Sequence, residues 1–99
     1  MSQGLHLYDI LKRPVITEKS HVMVEADNQY VFEVDKRANK IQIAEAVFKI
    51  FEVDVLNVRT MMVAPKRARR GRKFYVRRKG WKKAVVTLRA GQSISLFHA

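Results

Sequence analysis

The 99-residue sequence has no cysteine, which excludes a disulfide framework and any thiolate zinc site, and nothing in it points to an oxidising compartment. No apolar run approaches the ~18 residues of a membrane-spanning helix, so membrane insertion is not expected. The opening residues, Met1 to Leu7, lack the basic start and long apolar stretch of a secretory signal, which points to the cytoplasm. Catalytic patterns are missing too. His6, His21 and His98 show no metal-ligand spacing, no glycine-rich phosphate loop is present, and Glu18 and Glu25 are too isolated to act as an acid–base pair. These absences predict neither a cofactor, nor a metal site, nor an enzyme. Acid is the other scarcity: 9 Asp and Glu stand against 20 Lys and Arg, for a formal charge of +11, and none follows Asp54.

What is present supports one small folded unit. Hydrophobic residues make up 47% of the chain and charged residues 29%, enough for a core and against wholesale disorder. A chain this short normally forms one domain of ~100 residues. Such a domain buries only about 60–70% of its unfolded surface, which leaves little room for a deep internal active site.

The excess charge is not spread evenly. Between Lys66 and Lys83, eleven of eighteen residues are basic and none is acidic, whereas the rest of the chain balances nine of each sign. Such a block repels itself unless a polyanion screens it. The expected organisation is therefore a neutral body, residues 1–65 and 82–99, carrying an extended basic arm over residues 66–81.

Periodicity gives the elements. Arg13-Pro14 stops any helix in the lead-in. Thr17 is a reasonable N-cap with Glu18 in the first turn, and Val22, Met23 and Ala26 are expected on one apolar face. Gln29 to Asp35 alternates, with Tyr30, Phe32 and Val34 on one side, and predicts a strand. Asn39 and Gln42 have the spacing of a capping box. They open a helix to about Phe51 whose stripe is Ile43, Val47, Ile50 and Phe51. Val55 to Val63 predicts a strand, with Leu56, Val58, Thr60 and Met62 on one side and Asn57, Arg59 and Met61 on the other; Pro65 ends it. A last strand is expected over residues 83–90, with Ile94 and Leu96 as a further edge strand. The fold class is α+β: helices packed on a small antiparallel sheet of three to four strands, with the arm as an overgrown hairpin connection. Loops longer than ~12–15 residues are usually functional or disordered.

The arm's residue types suit RNA. Lys66, Arg67, Arg69, Arg70, Arg72, Lys73, Arg77, Arg78, Lys79, Lys82 and Lys83 can neutralise phosphates, and the arginines can also stack on bases. Contacts to about six to ten phosphates would lower affinity ~10³–10⁵-fold between 50 and 200 mM salt. Phe74 and Tyr75 can stack on unpaired bases or pair across the hairpin. Trp81, where the arm rejoins the sheet, can be a packing anchor or a base platform. No apolar stripe seats a recognition helix, so RNA of irregular shape fits better than a DNA groove. Arg70 to Val76 only loosely echoes an RNA-recognition-motif strand. A membrane surface would need an adjacent amphipathic helix or lipid anchor, which is absent. A free-standing RNA-binding regulator stays open as the alternative.

Several segments, in order, resemble a known family. Leu11-Lys12-Arg13-Pro14-Val15-Ile16-Thr17-Glu18-Lys19-Ser20 is similar to the opening of large-subunit ribosomal protein number twenty-three, bacterial type. The likeness continues through Tyr30 to Asp35, Ala38-Asn39-Lys40, Ile43 to Phe51 and Val58 to Met61. It ends with Trp81 to Leu88 and Gly91-Gln92, and so spans nearly the whole chain. The resemblance implies helices on a small antiparallel sheet, and binding to large-subunit rRNA at the rim of the polypeptide exit tunnel among neighbouring ribosomal proteins. It also implies that the loop matching Lys66 to Lys83 reaches the tunnel wall and the nascent chain. It further implies docking of trigger factor and the signal recognition particle near Thr17, Glu18 and Lys19.

Overall fold

Each main helix is started by a side chain that competes for its free backbone donors. The computed structural model describes residues 6–71 and 73–95, with the backbone alone at 67–70 and 73–78. Helix α1 (Leu7–Ile10) and strand β1 (Leu11–Pro14) lead into α2 (Glu18–Asp27), β2 (Gln29–Val34), α3 (Lys40–Phe51) and β3 (Val55–Val63). The hairpin strands β4 (Lys66–Arg70) and β5 (Lys73–Arg78) follow, then β6 (Trp81–Leu88). At α3 the Asn39 Oδ1 accepts from the Gln42 amide at 2.8 Å, and the Asn39 amide donates to Gln42 Oε1 at 3.0 Å. Thr17 and Ser20 make the same reciprocal pair at α2, at 3.1 and 2.8 Å. Both helices end in left-handed residues, Asn28 (φ 54°) and Glu52 (φ 56°).

The strands form one antiparallel sheet in the order β1-β2-β6-β3. Alternation turns Tyr30, Phe32 and Val34 of β2, Val58 of β3, and Ala84, Val86 and Leu88 of β6 to one side, where all are buried. Helix α3 covers that side with Ile43, Ala46 and Val47, and Ile10 of α1 and Ile94 of the C-terminal segment complete the core. Fully burying an aliphatic or aromatic side chain of this kind contributes about 1.5–3 kcal/mol. The expected helix on 40–51 and strands on 29–34 and 55–63 are therefore present, in an α+β architecture.

Four details differ from the sequence expectation. The lead-in is not featureless: its residues 11–14 form an edge strand, with Arg13 opposite Glu33 and Pro14 opposite Phe32. Proline is tolerated there because an edge strand has a side that needs no ladder donor. Second, α2 turns Ser20, Met23 and Val24 inward, while Val22 and Ala26 are exposed. Third, β3 carries an irregularity between Val55 and Asn57 that leaves Leu56 outside the ladder and exposed. Fourth, the last strand spans 81–88 rather than 83–90. Ile94 is buried outside any strand, donating its amide to the Tyr30 hydroxyl at 3.2 Å. Leu96, its expected companion, lies outside the described residues.

The arm is a hairpin of its own. Lys66 lies opposite Arg78, Arg67 opposite Val76, Ala68 opposite Tyr75, Arg69 opposite Phe74 and Arg70 opposite Lys73. The molecule measures 52 × 34 × 25 Å, with a radius of gyration of 15.3 Å. A compact chain of this length would be near ~13 Å.

Candidate nucleic-acid interface

The arm leaves the sheet between β3 and β6, whose last paired residues are Val63 and Trp81. Gly80 stands close to this junction: a Cβ there would lie 3.0 Å from the Val63 carbonyl oxygen and 3.2 Å from Pro65 Cδ. At the far end Gly71 takes φ 63°, a left-handed turn conformation that disfavours side chains. The register places like charges opposite each other at both ends, Lys66 with Arg78 and Arg70 with Lys73. Directly opposed like charges weaken a ladder. An isolated two-stranded hairpin is already marginal in water.

Lys66 and Lys79 are exposed. Trp81, Lys82 and Lys83 are half-buried where β6 enters the sheet. Lys82 turns toward α3 and donates its ammonium to the Ala38 carbonyl, tying the arm's root to the loop that caps that helix. Lys83 faces the opposite side of the sheet. Arg72 lies outside the described residues, as do the side chains of Arg67, Arg69, Arg70, Lys73, Phe74, Tyr75, Arg77 and Arg78, so the choice between stacking and packing for the two aromatics falls there too.

The sheet side away from α3 has a regular layout. One rung runs Met61, Lys83, Glu33, Arg13; the next Arg59, Val85, Val31; the third Asn57, Thr87, Gln29. Arg13 Nε meets Glu33 Oε1 at 2.7 Å, and Gln29 Nε2 donates to Thr87 Oγ1 at 3.2 Å. Val31 and Val85 are buried, whereas Arg59 and Met61 are exposed. Alternation in the sequence already put Asn57, Arg59 and Met61 on one side of a strand. Only the register shows that Arg59 lies one rung from Lys83.

A third feature is the start of α2. Thr17, Glu18 and Lys19 are all exposed there, and Ile16 and Val22 flank them with 49% and 57% of their surface open. Glu18 occupies the first helical position, where its carboxylate complements the helix N-terminus. In the β2–α3 turn the Asp35 carboxyl is held below its ordinary value, because it accepts hydrogen bonds from the Arg37 side chain and amide. Among the described residues no cluster of His, Asp or Glu has the arrangement of a metal site.

Comparison with known proteins gives a consistent result. The family model described as Ribosomal protein L23 matches residues 9–96. The large ribosomal subunit protein uL23 of Desulfatibacillum aliphaticivorans is 52% identical over 93 residues, covering 94% of this chain and 97% of that protein. The uL23 of Geobacter sulfurreducens is 50% identical over 93 residues, covering 94% and 98%. That of Syntrophotalea carbinolica is 53% identical over 92 residues, covering 92% and 95%.

Proposed function

The chain belongs to the ribosomal protein L23 family, and from that premise we propose that this structural protein of the large ribosomal subunit binds large-subunit rRNA through its basic arm at the polypeptide exit tunnel. Its place is the cytoplasmic ribosome. The body, residues 1–65 and 82–99, sits at the tunnel rim beside neighbouring ribosomal proteins, and the arm, residues 66–81, runs into the RNA toward the nascent chain. The task is structural and not catalytic. The start of α2, Thr17 to Lys19, is the docking point for trigger factor and the signal recognition particle.

The observation that carries the RNA reading is the concentration of eleven cations and no acid in Lys66 to Lys83, on a hairpin whose register opposes like charges. Phosphates between the opposed cations remove that repulsion. Release of condensed counterions from the RNA adds a favourable entropy term. The hairpin is thus stabilised by the ligand it binds. For the docking point, the support is an exposed carboxylate with apolar neighbours: a basic side chain of the partner can bond Glu18 while Ile16 and Val22 bury apolar surface.

Replacing residues 66–80 with a short turn tests the RNA reading. Val63 and Trp81 can still pair, so the sheet should form with unchanged circular dichroism. Affinity for transcribed large-subunit rRNA should fall at least ~10³-fold at low salt, and the salt slope should flatten. Undiminished affinity in a folded variant would refute the assignment.

A further inference from the structure

We infer that the sheet side facing away from α3 is a second RNA-binding surface, which grips the sugar–phosphate backbone of the same rRNA through Arg59 and Lys83. The inference rests on the RNA reading of the arm and extends it to a residue outside the basic block.

Three observations carry it. The first is charge. In the three strand rungs of this side Glu33 is the acid, and Arg13 holds it at 2.7 Å; the acids of α2, which packs against this side, are Glu18, Glu25 and Asp27. Lys83 lies opposite Glu33 in the ladder yet forms no ion pair with it, and Arg59 has no acidic partner among the described residues. Two cations on adjacent rungs are thus left without counter-charge on a rigid sheet. Their separation is that of diagonal cross-strand neighbours, about 7–8 Å between backbones, within reach of two phosphates of one strand.

The second is shape. A groove runs between α2 and this side of the sheet, floored by Val31 and Val85, rimmed on the strands by Arg59, Met61 and Lys83 and on the helix by Thr17 and Lys19. Its floor is apolar and its rim is cationic, which suits a ribose-phosphate chain whose sugars lie inward and whose phosphates meet the rim. The three rungs around Arg59 and Lys83 carry no aromatic side chain, and in the next rung on this side Trp81, opposite Val63, is half-buried at the arm's root. The grip at Arg59 and Lys83 is therefore on the backbone, unlike sheets that read single strands with exposed rings.

The third is continuity. Strand β6 comes directly out of the arm, and Lys83 stands four positions after the exposed Lys79. RNA following the arm to its root meets Lys83 and then Arg59 without crossing an acidic patch. An acidic peptide would satisfy the charge alone, but it would have no reason to continue along the arm.

The test uses the full-length chain and transcribed large-subunit rRNA, with affinity measured from 50 to 300 mM KCl. One variant carries Arg59→Gln and Lys83→Gln; a second carries Arg69→Gln, Arg70→Gln and Lys73→Gln in the arm; a third is Arg59→Lys. The first should reduce the salt slope by about 1.5, since each lost phosphate contact removes ~0.7–0.9, and should weaken binding about tenfold near 100 mM. Arg59→Lys should bind nearly as the parent chain does. Thermal melting of all three variants checks that each is folded; Arg59 is exposed and Lys83 half-buried, and Gln keeps much of the stem of either side chain. Unchanged slope and affinity in the first variant, with a loss in the arm variant, would overturn this inference and leave the arm's role standing. Weakening of Arg59→Lys to the level of the double variant would also overturn it, because a phosphate contact needs only the charge. No change in either the sheet or the arm variant would overturn the RNA reading itself.

Discussion

Glu18 has a place in the fold and, in the docking we propose, a second one against a partner. At the first turn of α2 its charge contributes about 0.3–1 kcal/mol to the helix. The Thr17–Ser20 pair caps the helix independently of it. Glu18→Ala should therefore leave the chain folded and assembled into ribosomes, while trigger factor affinity for those ribosomes falls about tenfold or more, as expected when a charge-assisted hydrogen bond of ~1.5–3 kcal/mol is lost. Equal affinity for both ribosomes would remove Glu18 from the docking point. Residue-scale features were unevenly legible in the sequence. The capping spacing at Asn39 and Gln42 could be read directly, and so could the N-cap Thr17. The engagement of Lys82 by the Ala38 carbonyl could not, because it joins positions 44 residues apart. In the sequence Lys82 and Lys83 look alike; strand alternation sends them to opposite sides of the sheet.

Among the elements, the connection between α2 and the C-terminal segment depends most on one position. Asn28 ends α2 in the left-handed region, and its side-chain amide donates toward the carbonyls of Leu88 (3.4 Å), Arg89 (3.1 Å) and Gln92 (3.0 Å). Asn28→Ala should cost about 3–4 kcal/mol, combining two lost side-chain amide hydrogen bonds at ~1 kcal/mol each with left-handed strain of ~1–2 kcal/mol. Asn28→Gly loses the same bonds without the strain and should be about 1 kcal/mol more stable than the alanine variant. Urea denaturation of both decides the matter; an alanine variant as stable as the glycine variant would contradict the strain argument. The elements that sequence reading found, β2, α3 and β3, are those with sustained alternation or helical spacing. It missed β1, whose four residues include two cations and a proline, because only pairing with β2 makes them a strand. It misjudged the inward side of α2 because Val22 is as apolar as Val24, and burial there is decided by how the helix lies against β2.

For the molecule as a whole, charge alone marks out the segment that the structure folds as the separate hairpin β4-β5. The second cationic surface was not legible in the sequence, since Arg59 and Lys83 are 24 positions apart in the chain and become neighbours only through the β3–β6 register. In the binding we propose, the arm continues into the sheet side through β6, and the start of α2 borders the same groove through Thr17 and Lys19. The most direct test of this account is photo-crosslinking from position 71, at the arm's turn, in ribosomes that carry this chain and a stalled nascent peptide. The account predicts adducts to large-subunit rRNA and to the nascent chain. Ribosomes that contain the protein yet yield no rRNA adduct from that position would contradict it.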